Sequence, residues 1–132
     1  MDEERQRRRH GVPRQVEVVA MPGKFLAEFE LYVMMAIARL GADAYGATVR
    51  REIEERTGRP VSIGALYATL ARLGDKDYLD FEEVDPEPGQ RGRSRKYCRL
   101  TAAGREAMDH SMVMMRRMME GLAPAGPAEP DR

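Results

Sequence analysis

The chain has 132 residues, 22 basic and 22 acidic side chains, and no formal net charge. That length suits one domain with tails and a modest core, so association with a partner is plausible on size alone. One cysteine excludes an internal disulfide, no apolar run is long enough for a bilayer, and no apolar stretch follows the basic start, so a cytoplasmic protein without a membrane partner is expected.

Residues 1–23 are polar, hold Arg5, Arg7, Arg8, Arg9 and Arg14, and contain Pro13 and Pro22. They read as a disordered basic arm. Glu3, Glu4 and Glu17 dilute its charge, which argues against a groove-tracking role. A first helix is predicted over 24–40. Phe25, Leu26, Phe29, Val33, Ile37 and Leu40 recur at steps of three and four. Leu31, Tyr32, Met34 and Met35 widen that stripe, which predicts burial on more than one side. Gly41 and Asp43 end it.

A second helix is predicted over 45–57, with Val49 and Ile53 inward and Arg50, Arg51, Glu52, Glu54 and Glu55 outward. Gly58 and Pro60 stop it. A third starts at Ser62, a good N-cap. Ile63, Leu66, Leu70 and Leu73 form its expected buried stripe, and Gly64, Ala65, Ala68, Ala71 and Arg72 lie opposite, with Tyr67 and Thr69 at the borders. A solvated face would be crowded with Glu and Lys. This one is nearly bare, which lets another surface come close.

Two strands follow, over 78–84 and 95–100, joined by a turn-rich stretch that includes Pro86, Pro88, Gly89 and Gly92. The charge is sharply divided here. Seven acids and one lysine occupy 75–87, whereas 89–105 carries six basic residues and no acid. The local field matters more than the neutral sum. Thr101 caps a last predicted helix over 102–122. Met108, Met112, Met115, Met119 and Leu122 step four, three, four and three, the spacing of a coiled-coil seam, and Met114 and Met118 widen it. Residues 123–132, with three prolines, read as a disordered tail.

The expected fold is therefore mainly α with a small β-hairpin (α+β): a winged helix-turn-helix domain over 24–100 and a dimerisation helix over 101–122. A bare-faced helix can enter the major groove, where Ala touches a thymine methyl and Ser or Thr bonds a base edge. A basic hairpin tip can follow the backbone or enter the minor groove.

The chain resembles the PadR family of bacterial transcriptional regulators from about Leu26 to Met108. The resemblance rests on Ala44-Tyr45-Gly46 and the segment from Ile53 to Gly58. It rests also on the recognition-helix segment from Val61 to Leu73, with its Leu66-Tyr67 pair, and on the wing segment from Arg91 to Tyr97. The segment from Leu100 to Arg105 completes it. A single predicted C-terminal helix and a short chain resemble the compact branch of the family. Two departures stand out. The turn after the third helix reads Leu73-Gly74-Asp75-Lys76-Asp77, with Asp77 where the family has a glycine, so either the left-handed turn survives or the helix ends early, at Gly74. Cys98 stands where an aromatic is common.

The resemblance implies a homodimer that represses transcription, with Ser62, Tyr67 and the wing basics near DNA. Combined with the bare face, this gives Tyr45, Ser62, Gly64, Ala65, Tyr67, Ala68, Thr69, Arg72, Arg91, Arg93, Arg95 and Lys96 as DNA-binding candidates. Phe25, Leu26, Phe29, Val33, Met108, Met112, Met115, Met119 and Leu122 are the dimer-interface candidates. The expected partners are double-stranded DNA, a second copy and a small apolar effector that adaptable methionines could enclose. No nucleophile–base pair, phosphate loop or metal-ligand spacing is visible, so neither an enzyme nor a cofactor nor a metal is expected. Arg99 has a competing role, pairing with Asp80 or Glu82 across the hairpin. Cys98 is expected to be a buried thiol rather than a redox sensor. The competing function is a winged-helix protein-interaction module without specific DNA binding, which would not need the basic wing.

Overall fold

The structure, a computed structural model, describes residues 26–123. The basic arm, Phe25 and nearly all of the C-terminal tail lie outside that range. The elements are α1 (Glu28–Leu40), a 3-10 turn (Gly41–Asp43), α2 (Gly46–Thr57), α3 (Ile63–Asp75), β1 (Leu79–Val84), β2 (Arg95–Leu100) and α4 (Ala102–Met119). The predicted order holds. The first helix begins four residues later than its stripe suggests, and the last ends three residues earlier.

Helix α1 is the spine. Leu31, Val33, Met34, Ala36 and Ile37 are all buried, so the wide stripe does signal packing on several sides. It meets α2, α3, α4 and the hairpin. Val33 is wholly buried in this core, which corrects its assignment to a dimer interface. Met108 is likewise buried within the chain, so the exposed seam of α4 starts one turn later, at Met112.

Helix α3 buries Leu66, Thr69, Leu70 and Leu73, a stripe at steps of three, one and three. Ile63 is instead 54% exposed. It is the first residue of the helix, and the core ends one turn short of it. The strands pair antiparallel, with Leu79 opposite Leu100, Phe81 opposite Cys98 and Glu83 opposite Lys96. These residues share the inner face of the hairpin, and Asp80, Glu82, Arg95, Tyr97 and Arg99 share the outer one.

The junctions carry the sequence signals seen above. Asp77 has φ +67°, the only non-glycine residue with positive φ among those described. The left-handed turn therefore survives with Asp in it, and α3 continues past Gly74 to Asp75. The Asp77 carbonyl then accepts the Thr101 hydroxyl at 2.6 Å, and the Tyr78 carbonyl accepts the Thr101 N–H at 3.0 Å. Thr101 Oγ1 also accepts the Gly104 N–H at 2.9 Å, capping α4. A Cβ on Gly104 would lie 2.1 Å from the Tyr78 carbonyl oxygen. Only glycine lets α4 start this close to the backbone behind it, which explains the Thr101-to-Gly104 signature.

Candidate nucleic-acid interface

The bend between α2 and α3 is held by two charged side chains of α2. Arg50 Nε donates to the Val61 carbonyl at 2.8 Å, and the Val61 N–H donates to Glu54 at 2.8 Å. Arg50 and Glu54 also pair with each other at 3.6 Å. Both were expected on the outward face of the helix. They instead satisfy the polar backbone of the turn. Their separation by four residues, which puts both on one helix face, was the available signal.

That turn delivers Ser62, whose Oγ accepts the Ala65 N–H at 3.0 Å and fixes the start of α3. Ser62, Ile63, Gly64, Ala65, Tyr67, Ala68 and Ala71 are all exposed. The outward face is therefore low and nearly free of charge. Exposed Ile63 is an addition that the periodicity misassigned. Two expected members leave this face. Thr69 is 1% exposed and its Oγ1 accepts a hydrogen bond from Arg72 at 3.0 Å, so it is a core residue. Arg72 is exposed but reaches back to Glu30, 3.4 Å away, and is not a free cation.

Tyr67 and Gly46 explain each other. A Cβ on Gly46 would lie 2.3 Å from the Tyr67 hydroxyl oxygen, so the ring of α3 rests on the first turn of α2. Tyr45, the next residue back, caps α2 and joins it to the wing. Tyr45 and Tyr97 form a bridge, and the Cys98 N–H donates to the Ala44 carbonyl at 2.8 Å. The Tyr45 and Tyr97 rings meet edge to face with centroids 5.3 Å apart, and the Arg95 guanidinium lies 4.5 Å from the Tyr45 ring centre. A continuous track thus runs from Tyr67 through Gly46 and Tyr45 to Arg95 and Tyr97. Tyr97 was not singled out beforehand, although its place two residues after Arg95 sets it on the same face.

At the tip, Arg91 and Arg93 are exposed, and neither takes part in an ion pair among the described residues. Lys96 differs from Arg95. Alternation sends it to the opposite face, where its ammonium sits 4.9 Å from the Phe81 ring centre. Arg99 stands opposite Asp80 in register, but no ion pair among the described residues joins it to Asp80 or Glu82. Cys98 is 4% exposed, and burial pushes its thiol up to about 11 despite the nearby Lys96 charge. It stays protonated at neutral pH, which removes the reactivity a sensor needs.

On the dimer candidates, Leu26 and Phe29 are half-buried at the start of α1. Met112, Met115, Met119 and Leu122 are 39–71% exposed, and Met118 is 78% exposed. Among the described residues no helix is long and apolar enough to cross a membrane.

The family model for PadR-like transcriptional regulators matches residues 33–110, which spans α1 to the first half of α4. The chain belongs to the PadR-like family. This PadR-like protein is similar to a PadR-like transcription factor from Bacteroides fragilis. That structure shares 25% identity, has a TM-score of 0.60, and is aligned over 78% of this chain and 92% of its own. The fold is also that of a PadR family transcriptional regulator from Eggerthella lenta, at 24% identity and TM-score 0.54 over 80% and 88% of the two chains. A 37.1 kDa protein in transposon TN4556 of Streptomyces fradiae is 32% identical over 99 residues. That match takes in 72% of this chain but spans only 26% of the transposon protein. The PadR-like chain thus has the winged-helix fold of a family of transcriptional regulators.

Proposed function

We propose that this PadR-like regulator is a cytoplasmic homodimeric repressor of a pseudo-palindromic operator. The observation that carries the reading is the low outward face of α3, continuous through Tyr67, Gly46 and Tyr45 with a wing whose tip arginines make no ion pair among the described residues. Ser62, Ile63, Gly64, Ala65, Tyr67 and Ala68 enter the major groove, where small and apolar side chains favour thymine methyls. Arg91, Arg93 and Arg95 follow the phosphates, with Tyr45 at the junction and Lys96 reaching them from the other face of the wing. Few direct base contacts are available on so bare a helix, so DNA shape supplies much of the specificity.

Residues 24–100 form the reading unit and 101–122 the pairing helix. Leu26, just before α1, and Phe29 in its first turn, together with Phe25, meet the exposed methionines and Leu122 of the second copy. This sets two recognition helices about one DNA turn apart. A small apolar effector that enters the methionine surface alters that spacing and releases DNA, provided it binds the altered state more tightly.

A fluorescence titration with DNA from the protein's own upstream region, beside a scrambled duplex and at two salt concentrations, tests this. The reading predicts tight, salt-sensitive binding to the upstream fragment only. Equal, weak binding to both, or none, in the presence and absence of apolar extracts would favour the protein-interaction module instead.

A further inference from the structure

The one buried carboxylate of the described core is Glu30 on α1, 5% exposed. It lies under the far end of the recognition helix. Its Oε1 accepts the Ala27 N–H at 3.0 Å, and its Oε2 stands 3.1 Å from Lys76 Nζ and 3.4 Å from Arg72 Nε. One acid therefore holds two cations from one end of α3. Burial alone would push the Glu30 carboxyl up. The Ala27 N–H and the Lys76 and Arg72 charges outweigh burial and keep it below its ordinary 4.5. The carboxylate is thus charged throughout the neutral range.

The two cations are not buried with it. Arg72 keeps 55% of its side chain exposed and Lys76 keeps 31%. Arg72 is further held by its hydrogen bond to Thr69. Both sit at the end of a helix whose outward face is otherwise nearly uncharged. A loose arginine and lysine there would add phosphate contacts that carry no sequence information. A carboxylate shielded from water attracts such groups more strongly than a fully solvated acid would.

We propose that Glu30 is a specificity-determining residue, whose carboxylate withholds Arg72 and Lys76 from the DNA backbone. The inference rests on the reading of α3 as the groove helix. Sequence-independent affinity is then confined to the wing, and the bare face of α3 is left to discriminate. Without Glu30 the same two cations become two extra phosphate anchors, and the regulator binds any duplex more tightly.

The test is the salt dependence of binding to a random-sequence duplex, read for wild type, Glu30→Gln and Glu30→Asp. Each phosphate newly neutralised steepens the slope of log affinity against log salt by roughly 0.9. Glu30→Gln, which keeps the shape and loses the charge, should steepen it by about one to two and narrow the preference for the upstream fragment. Glu30→Asp should restore most of the wild-type slope. A purely structural role would lower the melting temperature and leave the slope alone, and that result in a folded Glu30→Gln would overturn the proposal. Arg72→Gln and Lys76→Gln keep the test decisive even where Glu30→Gln does not fold. Withheld cations contribute nothing in the wild type, so the slope should not change, and a shallower slope in either variant would refute the idea. Wild type that binds no duplex would sink the groove-helix reading together with this one. Binding by wild type with an unchanged slope in a folded Glu30→Gln would sink this one alone.

Discussion

Helices α3 and α4 begin alike and end differently. Each opens on a hydroxyl cap, Ser62 for α3 and Thr101 for α4, and each lays apolar residues against the same core. Helix α3 then buries its Leu66, Leu70 and Leu73 within the chain, and what it leaves outside is mostly Gly and Ala. Helix α4 buries Gly104, Ala107 and Met108, and its later turns leave Met112, Met115, Met118 and Met119 outside, with Leu122 beyond them. Full burial of one Leu or Met side chain stabilises by roughly 1.5–3 kcal/mol. Covering several of them outweighs any single base contact, worth roughly 1–3 kcal/mol of discrimination. The residue of α3 thus suits a close, polar, shape-read partner, and the residue of α4 suits a protein.

The most severe way to break this comparison is Met115→Asp, which sets a charge in the middle of the apolar face of α4. The expected outcome is a folded monomer by sedimentation that has lost tight binding to the full operator. A dimer that survives the change would move the pairing surface elsewhere. Gly104→Ala is expected to act on the root of α4 rather than its face. The added methyl overlaps the Tyr78 carbonyl, so urea unfolding should show a loss of about 1–3 kcal/mol, the usual range for overpacking, with the α3 face intact. Ser62→Ala removes the cap of α3 and should cost about 1 kcal/mol. Its effect on DNA should exceed that of the matching Thr101→Ala change at α4, because α3 is the helix proposed to enter the groove. The mildest change sharpens the link between the two helices. Asp77→Gly relieves a left-handed position and should raise stability by less than about 1 kcal/mol in the same urea measurement.

Much of this architecture was legible from the chain. The stripe of α1, the caps Ser62 and Thr101 and the strand β2 all have local causes, and local causes leave local patterns, whereas the turn at Asp77 was left between two outcomes until the structure gave its positive φ. The errors share a different origin. Ile63 and Thr69 were sorted by periodicity, which gives a helix's faces but not where along its length the core stops. Val33 and Met108 were sorted by stripe continuity, but a stripe does not tell whether its cover comes from the same chain. Arg72 was placed among the DNA-binding side chains because its partner Glu30 lies 42 residues earlier, beyond the reach of any local pattern. The track from Tyr67 to Tyr97 was hidden for the same reason. It joins three elements, α3, α2 and β2, whose only common feature is the point where they meet.

The central claim is that two copies present two bare helices to one operator. A hydroxyl-radical footprint of the wild-type protein on its own upstream fragment tests it most directly. The account predicts two protected half-sites on one face of the duplex, about one helical turn apart. A single protected half-site, or uniform protection without spacing, would contradict it.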